Sequence, residues 1–499
     1  MRALVFAVAF SLPLHATIVG RNTPAESLTA ARVNAILSAN KRAPWLAYIR
    51  RSEQQRKVDQ AALAAERRGL PGIPPLPRQG PSARALPLHR EPAFYASPEG
   101  RRLGDIVISF QTPAGGWSKN LAMDAPRAPG QSYATANLAP VASGPGDFDE
   151  PHDPNWHYIG TLDNDATNTE LHFLALLSAA NPGHDGDPYR ASFLRGMRYL
   201  LNAQFPNGGW PQVWPLEGGY HDAITFNDDA VTESAELLAD AATGQRITTR
   251  PSAEELAFAQ SPYAAANGES HPPQAAVEDF TFVPPPLRAE ARQAVEKAIH
   301  CILITQLRVP APDGKGTVLA VWPQQSDPLT LAPVSARNFE PPALSAGESA
   351  SVMEFLMSLP HPSPEVVRSV EAAATWFQAH KITGYAWVGG RNTPGGRHLE
   401  PKPGAGPLWP RYTSLTTGEP IFGDRDKTIH DNVMEISLER RNGYNWYTRD
   451  PEEALAQYAN WSESLQDGCM GAQYADPSVR KNPPCAPDDH SHTKASKTP

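Results

Sequence analysis

The sequence predicts a mainly α protein with long functional loops, on three observations. Apolar residues recur three and four apart through most of the chain, and no clear two-residue alternation of strands interrupts them. A unit of helix, turn and tryptophan also recurs three times.

From the N-terminus, Met1-Arg2 precedes an apolar run from Ala3 to Leu14 and the small residue Ala16, the layout of a secretory signal peptide over 1–16. The run is too short to span a membrane, and no later stretch reaches spanning length. Export to a periplasm or to the medium is therefore expected, with a buried N-terminal helix as the alternative. Residues 26–70 are rich in Ala, Arg, Glu and Leu at helical spacing, and Pro71 to Pro87 is Pro-rich. Together they make 17–97 a helical extension with a linker, ahead of one large body over 98–465.

Within that body, helical patterns run over 169–180, through Phe193, Leu194, Met197, Leu200 and Leu201, and over 229–241. They continue through Leu287, Ala291, Val295, Ala298 and Ile302, then over 349–359 and 365–379. The Pro, Ala and Glu-rich stretch 246–286 and the polar tail 466–499 read as surface additions. The two tail histidines read as part of a solvated tail rather than a metal site. No helix carries a sustained heptad seam, so a monomer is expected.

Three cysteines are too few for a disulfide scaffold, although Cys469 and Cys485 could close one local loop in an exported protein. Cys301 falls in an apolar helical pattern and reads as a buried thiol. The formal net charge of −9 argues against a nucleic-acid partner. It also means that a polyanionic substrate would have to be met by clustered Lys and Arg or by a bound cation.

The repeat consists of Gln111 through Trp117, Gln204 through Trp210, and Gln306 through Trp322 with a longer turn. Helix pairs fit between successive copies, so an arrangement around a central axis would bring all three turns to one end. Glycine permits the tight turn, and the tryptophans read individually as anchors of it. As a set they would also suit sugar rings.

Two acidic clusters, Asp163-Asn164-Asp165 and Asn227-Asp228-Asp229, stand at helix starts. Helix capping accounts for one acid at each start and leaves a surplus. Several carboxylates and a carboxamide on one rim are hard oxygen ligands of the kind Ca²⁺ prefers, though without EF-hand spacing. Paired carboxylates would equally serve a glycoside hydrolase. Arg411 and Arg425 sit in loops beside Trp409, Tyr412 and Phe422, where guanidinium forks could bind sugar carboxylates, with a structural ion pair as the plain reading. Arg337 precedes the helix near Ser349 and is expected at the same rim.

The motifs Gly115-Gly-Trp-Ser-Lys-Asn120, Thr161 through Thr167, Asn207 through Val213, Ile224 through Ala230, Pro420 through Asp426 and Glu439 through Tyr447 together resemble the family 10 pectate lyases over roughly residues 95–447. The resemblance implies an (α/α)₃ toroid and Ca²⁺-dependent endo-type elimination of polygalacturonate. It implies that Asp163 and Asp228 hold Ca²⁺, with Asn164 and Asp229 as neighbours. It further implies that Arg337 is the base, that Arg411 and Arg425 bind substrate carboxylates, and that Lys119 assists. The tryptophan rim adds Trp210 as a sugar contact. An arginine base needs its guanidinium pKa depressed by nearby cations, so an alkaline optimum is expected. The competing expectations are a metal-free toroidal hydrolase using the paired Asp residues and a non-catalytic pectate-binding module.

Overall fold

The computed structural model describes residues 17–80, 86–135, 146–150, 153–251, 256 and 272–466. The expected signal segment, Cys469, Cys485 and the C-terminal tail lie outside them. Among the described residues the chain forms helices α1 (Ala30–Ile36), α2 (Ala39–Arg67), α3 (Pro92–Ala96), α4 (Pro98–Ser109), α5 (Asn168–Ala180) and α6 (Asp187–Ala203). These are followed by α7 (Ala230–Thr243), α8 (Pro285–Thr305), α9 (Ala346–Ser358), α10 (Pro364–His380), α11 (Leu438–Gly443) and α12 (Asp450–Gln466).

Burial sorts these helices into layers. In α5 every residue from Asn168 to Ser178 is buried except His172, so it lies inside on all faces. In α6 the stripe Tyr189, Phe193, Met197 and Leu200, with Tyr199 and small neighbours, is covered while the other face is not, as for an outer helix. The pairs α5/α6, α7/α8 and α9/α10 pack as inner and outer partners. Inner α7 touches both α5 and α9, while the outer helices α4, α6, α8 and α10 touch in sequence. The result is an (α/α)₃ toroid, with α4 opening the ring and α12 packed on α9 and α10.

The tryptophan unit fastens the outer ring. Trp117, Trp210 and Trp322 are fully buried, and each Nε1 donates to a carbonyl near the end of the preceding outer helix: Val107 at 2.7 Å, Leu200 at 2.8 Å and Ile302 at 2.7 Å. Trp409 does the same with Phe377 at 2.9 Å, a fourth copy that its long intervening segment hides in the sequence. The repeat glutamines link neighbours. The Nε2 groups of Gln111, Gln204 and Gln306 donate to Ser192, Ala294 and Ser369 carbonyls on the next outer helix. Gly208 has φ +99° and a Cβ there would lie 2.0 Å from the Lys297 carbonyl oxygen, so this turn admits only glycine.

Short ladders of two to four residues edge the toroid. Ile224–Thr225 pairs with Gln325–Ser326, and Leu344–Ser345 pairs with Tyr412–Thr413. Such ladders are too short to leave an alternating pattern in the sequence. Two segments are more integral than their composition suggests. The ends of the 246–286 stretch form the ladder Arg246–Thr249/Ala276–Asp279, which packs on α5 and buries Ile247, Ala276 and Phe280. The N-terminal extension contributes Leu28, Val33, Trp45, Tyr48 and Ile49 to the main core. Cys301 is buried, and burial pushes its thiol up to about 12.

Candidate active site

The segments entering α5, α7 and α9 meet at one end of the toroid. Asp163–Asp165 and Asn227–Asp229 are short 3₁₀ turns in contact with each other, and the second also touches α9. Both share an unusual backbone. Asn164 (φ 53°) and Asp165 (φ 60°) in the first correspond to Asp228 (φ 48°) and Asp229 (φ 55°) in the second. Left-handed residues cost energy unless the surroundings impose them, and Asn and Asp tolerate the region best. The repeated turn thus explains the residue types and aims two acidic loops at one spot.

These turns line a polar cavity of about 390 Å³. Asp163 is held on both oxygens, by Lys119 Nζ at 2.6 Å and by Gln212 Nε2 at 2.6 Å. Asp228 Oδ2 accepts the Asn164 backbone N–H at 2.9 Å, which ties the two turns together. Burial, and then the neighbouring Asp163 and Asp165 carboxylates, push the Asp228 carboxyl up to about 7 against the opposing Asn164 N–H and Arg411 charge. Loss of solvation leads that shift, and the like-charged neighbours add to it.

Cations face the acids across the cavity. Arg411 Nη2 pairs with Glu348 and donates to Asn227 Oδ1 at 3.0 Å, and its guanidinium lies 4.8 Å from the Tyr444 ring centroid. Arg337 grips Glu340 with a fork, Nε to Oε2 at 2.9 Å and Nη2 to Oε1 at 2.6 Å. Glu340 is 1% exposed and also receives the Tyr444 hydroxyl at 2.7 Å. The turn carrying Arg337 is strapped by the N-terminal extension: Asn22 Nδ2 contacts the carbonyls of Arg337, Asn338 and Glu340 at 3.1–3.2 Å.

The structure therefore brings together Lys119, Asp163, Asn164, Asp228, Arg337 and Arg411. Three expected site residues stand elsewhere. Trp210 is fully enclosed by the turn that it anchors and offers no face to a sugar, and Trp117 and Trp322 are equally buried. Asp229 occupies the N-cap position of α7 and is not part of the cavity wall. Arg425 is outside the wall too, forked onto Glu439 with Nε to Oε2 at 2.8 Å. The charge environment of Arg337 also differs from expectation. Burial lowers its pKa, but the Glu340 carboxylate outweighs that and holds the guanidinium well above its ordinary value. Sequence reasoning gave no role to Asn120, Asp149, Tyr158, Asn227 and Tyr444, which complete the wall. Asn120, Asn227 and Tyr444 lie inside motifs already singled out, whereas Asp149 and Tyr158 carried no local signal.

The model of the family described as pectic acid lyase matches residues 111–260 and 274–455. No curated protein matches the sequence. Among solved structures, the chain is similar to an aspartate-to-alanine mutant of the family 10 polysaccharide lyase from Cellvibrio cellulosa in complex with trigalacturonic acid. The identity is 26% and the TM-score 0.54, over 76% of this chain and 96% of that one. It is similar to the same lyase without the mutation, at 26% identity and TM-score 0.54, over 76% of this chain and 95% of that one. With its family match spread over both flanks of the 246–286 stretch and a toroid shared with these structures, the chain belongs to the pectic acid lyase family.

Proposed function

We propose that the protein is an exported pectate lyase that cleaves α-1,4-linked polygalacturonate by Ca²⁺-assisted β-elimination, leaving 4,5-unsaturated ends. The observation that carries this reading is the opposition of two kinds of charge in one cavity, Asp163 and Asp228 on one wall and Lys119, Arg337 and Arg411 around it. Hydrolysis of a neutral sugar could use the acids but needs no surrounding cations. A polyuronate needs cations for its carboxylates, and the acids would repel it unless a metal lay between. The complexed trigalacturonate of the similar lyase accords with such a ligand.

The acids fit Ca²⁺. Asp163, Asp228 and the Asn164 carboxamide offer hard oxygens, and a divalent ion would offset both the burial and the neighbouring carboxylates that raise the Asp228 carboxyl. Bound Ca²⁺ supplies electrophilic neutralisation of the substrate carboxylate, which acidifies the C5 proton beside it.

The remaining steps belong to the chain. Arg411 and Lys119 pair with uronate carboxylates and fix the ring. Glu340 and Tyr444 hold Arg337, and Nη1 is the guanidinium nitrogen that Glu340 does not engage. A neutral Arg337 takes the C5 proton, the electron pair forms the C4–C5 double bond, and the C4 oxygen leaves with its glycosidic partner. Because Glu340 favours the charged guanidinium, the competent fraction is small and grows with pH, which gives an alkaline optimum.

The test is ultraviolet absorbance of de-esterified polygalacturonate at alkaline pH, with Ca²⁺ and in parallel with chelator. A rising signal from unsaturated ends that chelator abolishes is expected. New reducing ends without absorbance would indicate hydrolysis instead, and binding without either would indicate a pectate-binding module. Secretion is tested by detecting the protein outside the cells that make it.

A further inference from the structure

We propose that Asp149, His157 and His221 form a second cation site, distinct from the acidic turns and suited to a borderline divalent ion of the Zn²⁺ class. One ligand atom from each lies within 4.8 Å of the others. Asp149 Oδ1 is 3.7 Å from His157 Nε2 and 3.5 Å from His221 Nε2. Tetrahedral ligands at about 2.1 Å from a metal stand roughly 3.4 Å apart, close to both separations from Asp149.

The tautomers supply the stronger argument. Gln212 donates its amide to the Asp163 carboxylate, which can only accept, so its Oε1 is the atom 2.8 Å from His221 Nδ1. His221 Nδ1 must therefore carry a proton. His157 Nδ1 lies against the Glu217 carboxylate and must likewise donate. In their neutral forms both rings then aim an Nε2 lone pair at the same Asp149 oxygen. Three electron-rich atoms facing one another call for a positive charge between them; a proton on His221, which Glu217 and Asp149 favour against burial, supplies it in the absence of metal, and a divalent ion here would displace that proton. Tyr158 and Tyr220 hydroxyls also donate to Asp149 Oδ1, at 3.0 and 2.7 Å, and hold that carboxylate in place between the two rings.

The shell beyond the ligands matches a metal centre as well. A ligating histidine ordinarily donates its other ring nitrogen to a carboxylate or carbonyl, and Glu217 and Gln212 occupy those two places. Glu217 and both histidines are buried. Two imidazoles and one carboxylate favour Zn²⁺, Mn²⁺ or Co²⁺ over Ca²⁺, which selects oxygen. Three protein ligands leave a fourth position for water. Asp149 also lines the cavity beside Lys119 and Tyr158, so an ion here would fasten residues 146–150 to its wall.

The experiment uses the full chain stripped with chelator and titrated with Zn²⁺, then with Co²⁺ as a spectroscopic probe, in the presence of excess Ca²⁺. One tight site is expected, with Co²⁺ absorption of the strong four-coordinate type and a melting temperature that rises with Zn²⁺. His157→Asn and His221→Asn each keep a donor toward Glu217 or Gln212 while deleting Nε2, and each should weaken binding at least about tenfold. Asp228→Asn should leave Zn²⁺ binding in place while weakening Ca²⁺ binding, which separates this site from the proposed Ca²⁺ site. The proposal is overturned if no Zn²⁺ binds. It is also overturned if binding survives in the folded double variant, which would place the ion elsewhere, for instance on His490 and His492.

Discussion

Replacing Arg337 by alanine removes the proposed base and also strands Glu340. That carboxylate is 1% exposed, accepts both arms of the guanidinium, and binds the Arg337 backbone N–H and the Tyr444 hydroxyl. Deleting one partner of a buried pair costs about 3–5 kcal/mol. The 39% exposure of the Arg337 side chain lets water solvate part of the deficit, so the lower end is expected. Loss of a positioned base typically lowers a rate by about 10²–10⁴. Arg337→Ala should thus lose both stability and activity, which alone would not assign a role. The double variant Arg337→Ala/Glu340→Gln separates them. Glutamine keeps acceptor and donor capacity for Tyr444 and the backbone without a stranded charge, so most of the stability should return while the rate stays low. Urea unfolding read by tryptophan fluorescence gives the first quantity, and initial absorbance rates at saturating polygalacturonate give the second. Recovery of activity along with stability would refute a chemical role for Arg337, as would a single variant within about tenfold of the parent rate.

Three further outcomes are expected. Asn22→Ala removes the amide that ties the Arg337 turn to the N-terminal extension; kcat should fall severalfold with little change in KM, and loss of stability alone would show that the strap does not position the turn. Asp228→Asn should abolish the response of activity to Ca²⁺, and in the parent protein Ca²⁺ affinity measured by calorimetry should weaken by about tenfold per pH unit below pH 7, as the ion competes with one proton. Glu170, sealed in the capping box of α5, has its carboxyl pushed up to about 8 by burial, against an ordinary 4.5. Its folded form holds the proton more tightly, so stability contributed by the neutral acid is intact below pH 4.5 and drains away as pH rises through 8; Glu170→Gln should match the parent near pH 4 and exceed it by a few kcal/mol at pH 9 in denaturant unfolding.

Much of the fold was legible in the sequence because helix packing leaves a local periodic signature. The expected helices at 169–180, 229–241, 349–359 and 365–379 correspond closely to α5, α7, α9 and α10. The Gln and Trp repeat was visible for the same reason, since each copy builds the same turn onto its neighbour. The acidic turns were legible as surplus charge at helix starts, and Lys119 and Arg411 line the same cavity as those turns.

Tertiary structure decided what local pattern could not. A tryptophan in a Gly-Gly-Trp turn has the same sequence whether it faces sugar or core, and only packing put Trp210 inside. Composition marks the N-terminal extension as helical, yet its place in the core rests on distant partners such as Ala203 for Tyr48, and its grip on the Arg337 turn on contacts more than three hundred residues apart. Charge environment is equally non-local. Arg425 meets Glu439 rather than the cavity, and Arg337 meets Glu340, so its proton is held more tightly than crowding by cations alone would imply. Asp149, His157 and His221 share no sequence spacing that suggests a site, and the fold alone gathers them around one point. The sequence by itself determined the helical elements and the kinds of side chain available to a site, because both are written in short-range periodicity and residue chemistry. The tertiary structure decided which of those residues face one another, because opposition across a cavity is set by the closure of the helical ring.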